Sequence, residues 1–98
     1  MNMQAMMKQA QALQKDMMKI KNEVDNTEFI GESSFVKVTV KGTKEVIMVE
    51  INAKDGLDAD DVEMLQDMIM VAINQANEKI DATLDKKMGK FGNIPGLF

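Results

Sequence analysis

Phe35-Val36-Lys37-Val38-Thr39-Val40-Lys41-Gly42-Thr43-Lys44-Glu45-Val46-Ile47-Met48-Val49-Glu50-Ile51 is the stretch whose reading decides the fold. From Phe35 to Val40 the residues alternate. Val36, Val38 and Val40 fall on one side of an extended chain, and Phe35, Lys37 and Thr39 on the other. Lys41-Gly42-Thr43-Lys44 is a tight turn signal. Residues 45–51 then form the return strand, with Ile47, Val49 and Ile51 on one face. Upstream, residues 28–31 (Glu-Phe-Ile-Gly) add a short strand, ended by Gly31 and the Ser33-Ser34 pair. The three strands make an antiparallel meander whose apolar face must be covered by a helix or by another sheet.

On either side of the meander the period changes. Met3, Met6, Ala10, Leu13, Met17, Ile20 and Val24 are spaced alternately by three and four residues, a heptad seam that no Gly or Pro interrupts. It predicts a helix over 2–25, about 36 Å long at 1.5 Å per residue. So narrow an apolar stripe needs a partner helix to bury it. Downstream, Asp58 or its neighbour caps a second helix over about 59–87, and Asp58, Asp60, Asp61 and Glu63 suit its positive end. Val62, Leu65, Ile69, Ala72, Ala76, Ile80 and Leu84 follow helical spacing, and Gly89 and Gly92 end the run. The pattern is an α+β fold: long helix, three-stranded antiparallel sheet, long helix. It predicts one domain over 1–88 and a flexible C-terminal tail over 89–98. Helices of this length outrun a three-stranded sheet, so each is expected to project past it. The seam residues Met6, Ala10, Leu13, Met17 and Ile20 are then expected to pack in a homodimer with protruding helical arms.

Composition narrows the function. The chain has 98 residues, room for one domain. Aromatics are 4%, all Phe, against 11 Met, so the core is built from aliphatic and thioether side chains. The absence of Cys excludes disulfides and thiolate metal sites. The absence of His removes the commonest general base. Ser33 and Ser34 lie in a turn with no base in view, and the acids of 55–63 lack the alternating spacing of a calcium loop. No catalytic residue, metal, cofactor or small-molecule substrate is expected. No run approaches the roughly 20 apolar residues of a membrane span, and no signal-peptide pattern is visible, so a cytoplasmic protein without a membrane partner is expected.

The formal net charge is −4, but the distribution is uneven, and every basic residue is Lys. Lys8, Lys15, Lys19 and Lys21 face only Asp16 within residues 1–22. Asp55, Asp58, Asp60, Asp61, Glu63 and Asp67 face only Lys54 within 52–67. On a helical wheel Lys8, Lys15 and Lys19 lie away from the seam, beside Gln4, Gln11 and Asn22. Lys86, Lys87 and Lys90 form a competing basic group at the end of the second helix, on what is expected to be the other arm. A basic arm on an acidic middle binds anions locally despite the net charge. Without Arg, the commonest specific base contact, bidentate Arg on guanine, is missing; Lys can bind guanine too but acts mainly as a flexible point charge. Two other readings are a protein–protein interaction module whose Met-rich amphipathic helices bind a partner helix, and a basic helix on an anionic membrane surface.

Met6-Met7-Lys8-Gln9-Ala10-Gln11, followed by Leu13-Gln14 and Met17, resembles the opening helix of the YbaB/EbfC family of bacterial nucleoid-associated proteins. Phe35 to Gly42 is similar to the family's central strand and turn. Leu65-Gln66-Asp67-Met68-Ile69, with Ala72, Asn74 and Ala76, is similar to its second-helix signature, and Pro95-Gly96 to its tail. Where family members often have a Gly-rich stretch before the central strand, this chain has Gly31-Glu32-Ser33-Ser34. The resemblance implies a small homodimer with a sheet-based core and helical arms in a tweezer-like shape. It also implies binding of double-stranded DNA with limited sequence preference, at the nucleoid, in chromosome organisation or control of gene expression. By matched position it implicates Lys8; Lys15 and Lys19 join it through the wheel, with Lys86 and Lys87 as the alternative contact.

Overall fold

Val36, Val38 and Val40 are buried to 1% exposure or less, and the rest of the fold is arranged around them. The structure is a computed structural model that describes residues 2–89. The expected tail, with Lys90, Gly92 and Pro95-Gly96, lies outside the described residues except for Gly89. In chain order the elements are α1 (Met3–Asp25), β1 (Glu28–Ser33), β2 (Val36–Lys41), β3 (Val46–Ile51), a 3-10 turn (Ala59–Asp61) and α2 (Val62–Met88). The sheet is antiparallel throughout, in the order β1-β2-β3. This is the helix–meander–helix, α+β arrangement expected from the periods.

Gly31 does not end β1. The strand runs on to Ser33, and the reversal passes to Ser34, a left-handed residue at φ 52°. Gly31 serves a different purpose: a Cβ there would stand 1.8 Å from the carbonyl oxygen of Ala72, so α2 lies directly on the strand backbone. Ala72, Ala76 and Ile80 are the fully buried residues of α2, and the two alanines make that approach possible. α2 runs opposite to β1 and closes its outer edge. The Glu32 N–H donates to Gln75 Oε1 at 2.8 Å, and Lys79 Nζ donates to the Ile30 carbonyl at 2.7 Å.

α2 starts later than the spacing suggests, at Val62. Residues 58–61 form a capping box on a 3-10 turn: Asp58 Oδ1 accepts from the Asp60 N–H at 3.2 Å, and the Asp58 N–H donates to Asp61 Oδ2 at 3.1 Å. The acids of this stretch are therefore engaged in starting the helix.

β3 departs most from expectation. α2 covers β1 and β2 but not β3, so Val46, Ile47, Met48, Val49 and Ile51 are 40–51% exposed. A bulge also shifts the register, with Thr39 opposite Met48 but Val40 opposite Val46, leaving Ile47 as the extra residue. α1 is held at its C-terminal end only. Ile20 and Val24 are buried, Leu13 and Met17 half-buried against the core, and Met3, Met6, Met7 and Ala10 exposed. The β2–β3 turn fixes this end: a Cβ on Gly42 would stand 1.8 Å from the Val24 carbonyl oxygen. The molecule is a rod of 70 × 20 × 15 Å. Among the described residues no helix is long and apolar enough to cross a membrane.

Candidate nucleic-acid interface

α1 is well terminated at both ends and carries its charges on one continuous helix. Asn2 caps its start, its Oδ1 accepting from the backbone of Gln4 at 3.1 Å and Ala5 at 3.4 Å. At the other end Asn26 Nδ2 donates to the Asn22 carbonyl at 2.9 Å, and Thr27 Oγ1 donates to the Glu23 carbonyl at 2.7 Å. The 23 residues between span about 34 Å. At about 100° per residue, Lys8, Lys15 and Lys19 fall within roughly 40° of one another, across the axis from Met6, Leu13 and Met17. All three are exposed.

The lysines of the chain divide by what holds them. Lys21 pairs with Asp25 at 3.3 Å, Lys44 pairs with Asp81 at 3.1 Å, and Lys79 is bound to β1. Lys8, Lys15, Lys19, Lys86 and Lys87 enter no salt bridge among the described residues, and neither do Lys37 and Lys41 on β2 or Lys54 after β3; what sets the first five apart is that they share the helices. A shallow groove of about 580 Å³ runs along α1, lined by Lys15, Asp16, Met18, Lys19, Asn22, Glu23 and Asn26. A second, of about 630 Å³, lies between the helices and is lined by Ile20, Glu23, Thr83, Lys86 and Lys87. The expected separation of the basic groups onto two arms does not hold. The C-terminal half of α2 lies against the C-terminal half of α1, so Lys86 and Lys87 belong to the same two-helix arm as Lys15 and Lys19, with Lys8 further out on α1. Lys90 lies outside the described residues.

Of the seam residues, Ile20 is buried within the protomer, Leu13 and Met17 are half-buried, and Met6 and Ala10 are exposed. Two features are not evident from the sequence pattern. One is the open β3 edge. The other is Glu23, common to both grooves. It stands just beyond the basic run of residues 1–22, yet four residues after Lys19 and so on the same side of the helix, a spacing that could have found it.

Comparison with known proteins covers nearly the whole chain. Residues 1–94 match the family model described as the YbaB/EbfC DNA-binding family. A nucleoid-associated protein of Ligilactobacillus salivarius (strain UCC118) is 48% identical over 99 residues, covering 99% of this chain and 95% of that protein. Another, from Pelotomaculum thermopropionicum, is 43% identical over 102 residues, covering 99% of this chain and 96% of its own. The crystal structure of an uncharacterized protein, HP0035 from Helicobacter pylori, matches with a TM-score of 0.75 over 93% of this chain and 97% of that one. At 16% identity that likeness is one of fold.

Proposed function

We propose, for a chain that belongs to the YbaB/EbfC DNA-binding family, that it binds double-stranded DNA as a homodimer through lysines on its helical arm, at the nucleoid, organising the chromosome or modulating gene expression. The observation that carries the reading is the arm itself. Lys8, Lys15, Lys19, Lys86 and Lys87 lie together on one two-helix projection and enter no salt bridge among the described residues, whereas Lys21, Lys44 and Lys79 are held by Asp25, Asp81 and the Ile30 carbonyl. The acids of 55–67 sit at the opposite end of α2, away from phosphate. Point charges without Arg forks favour phosphate contact over base reading.

Support for the homodimer comes from the two sheet edges. β1 is closed by Gln75 and Lys79, whereas β3 is an open edge of apolar side chains, and such an edge associates unless it is covered. A second copy related by a two-fold axis covers it with the same surface.

The test is a mobility shift with unrelated duplexes at several salt concentrations. With two or three lysines per protomer on four to six phosphates, the slope of log affinity against log salt is expected to be roughly −4 to −5. Affinities for different duplexes are expected to agree within about tenfold. Sedimentation is expected to give twice 10.9 kDa. A well-folded monomer at micromolar concentration overturns the dimer. The second reading, an interaction module, is favoured by Met3, Met6, Met7 and Met18, exposed by 51–74%. Binding of a partner through these would hardly change with salt.

A further inference from the structure

The two grooves of the arm share one residue, Glu23. Lys15 and Lys19 line the groove on one side of it, and Lys86 and Lys87 line the cleft on the other. The α1 and α2 lysines thus form one basic surface with two carboxylates in its lining: Asp16, which lines the α1 groove alone, and Glu23, which stands between the two lysine groups. We infer that Glu23 sets the affinity of this surface for nucleic acid, holding it below what the lysines alone would give. The inference rests on the proposal that the arm binds DNA.

The helix end gives no reason for an acid at this place, although Lys19 stands four residues before it. Glu23 lies in the last turn of α1, where the partial negative charge of the helix end disfavours a carboxylate and no basic residue of that turn compensates. Its backbone carbonyl accepts the Thr27 hydroxyl at 2.7 Å, but its side chain takes part in no salt bridge among the described residues. Its neighbours differ: Asp25 is paired with Lys21, and Asp81 with Lys44. Glu23 is exposed on the side of α1 that carries Lys19. A phosphate drawn to Lys19 or Lys86 meets this charge within a Debye length of about 8 Å at physiological salt. Phosphate contact is therefore weakened without loss of any lysine, which keeps a non-selective binder readily exchangeable along DNA.

The test compares Glu23→Gln with Glu63→Gln in the full-length protein. Each changes the net charge by the same single unit. Glu63 lies in the first turn of α2, some 35 Å along the helix from Lys86 by its rise, several Debye lengths away. Binding of unrelated duplexes at 0.15 M salt is measured by titration, with circular dichroism and sedimentation to check fold and assembly. Glu23→Gln is expected to bind every duplex about two- to fivefold more tightly per arm, the scale of one exposed charge interaction. Glu23→Lys is expected to go further in the same direction, and Glu63→Gln to match the parent. Equal affinity for the Glu23 and Glu63 variants, or weaker binding by Glu23→Gln, overturns the inference. In either case salt-sensitive binding by the parent leaves the DNA-binding proposal standing. A parent chain with no salt-sensitive binding to any duplex overturns both.

Discussion

Where α2 crosses the sheet it places Ala72 and Ala76 over Gly31, and all three are buried; where α1 leaves the sheet it repeats Met3, Met6 and Met7, all exposed by more than half. Both helices show an apolar stripe at helical spacing, yet one stripe is sealed and the other largely open. The difference lies first in placement. Small residues let the backbone of α2 settle against β1, so α2 becomes the second layer of the core. The N-terminal half of α1 runs past the sheet, so even its small seam residue Ala10 is exposed, and its stripe is left for a second surface to meet. Period tells which side of a helix is apolar; it does not tell what lies opposite.

The largest effect that could break this comparison is at Gly31. Gly31→Val forces a Cβ into the Ala72 carbonyl, and backbone on both sides has little room to yield. A loss of about 3 kcal/mol or more is expected in denaturant unfolding, a large part of the roughly 5–15 kcal/mol that a domain has. The matching change on α1, Ala10→Val, fills open space and is expected to stay within about 0.5 kcal/mol. Equal costs would mean that α1 is sealed as tightly as α2.

β3 sharpens the contrast within one sheet. Val38 and Val49 are register partners, but Val38 is fully buried and Val49 is 41% exposed. Val49→Lys is therefore expected to spare the protomer's fold, read by circular dichroism, and to raise the dimer dissociation constant in sedimentation by at least about tenfold, or 1.4 kcal/mol. Loss of helix content together with loss of mass would place Val49 in the protomer core instead.

The fold was largely legible. The alternation at Val36, Val38 and Val40 identified the buried face of β2, and the acids after Asp58 marked the start of α2. The exposure of β3 was not legible, because Ile47, Val49 and Ile51 read as a buried face whether α2 or a second chain covers them. Gly31 misled for a similar reason: a glycine at a strand end and one under a helix look alike until the helix is placed. At the interface, the wheel grouped Lys8, Lys15 and Lys19 from spacing alone. It could not join them to Lys86 and Lys87, since that depends on how α2 returns along α1.

A smaller effect follows for the arm. Lys15→Glu with Lys19→Glu is expected to leave unfolding within about 0.5 kcal/mol of the parent, since neither residue packs against the core. It is expected to weaken binding to all duplexes alike and to flatten the salt slope by roughly 0.9 for each phosphate that is no longer neutralised. Unchanged binding there, with loss on truncation after Leu84, would move the DNA-binding surface to α2.

The smallest expected effect concerns the β2–β3 turn, which touches both helices by different means. It meets α1 through backbone, Gly42 against Val24, and α2 through charge, Lys44 on Asp81 at 3.1 Å. Those two side chains are 49% and 58% exposed, so water screens their attraction. Asp81→Asn is expected to cost no more than about 0.5 kcal/mol, and the cost is expected to vanish at 1 M salt, where the Debye length is about 3 Å. Lys44 itself sits at φ 76°, a left-handed conformation that costs a side-chain-bearing residue about 1–2 kcal/mol. Lys44→Gly removes the same ion pair but also that strain, so it is expected to be neutral or slightly stabilising. Opposite signs for the two variants in matched denaturant titrations would show that the charge pair contributes less than the turn's backbone. An Asp81→Asn cost above about 1 kcal/mol that survives 1 M salt would mean the turn grips α2 as firmly as it grips α1.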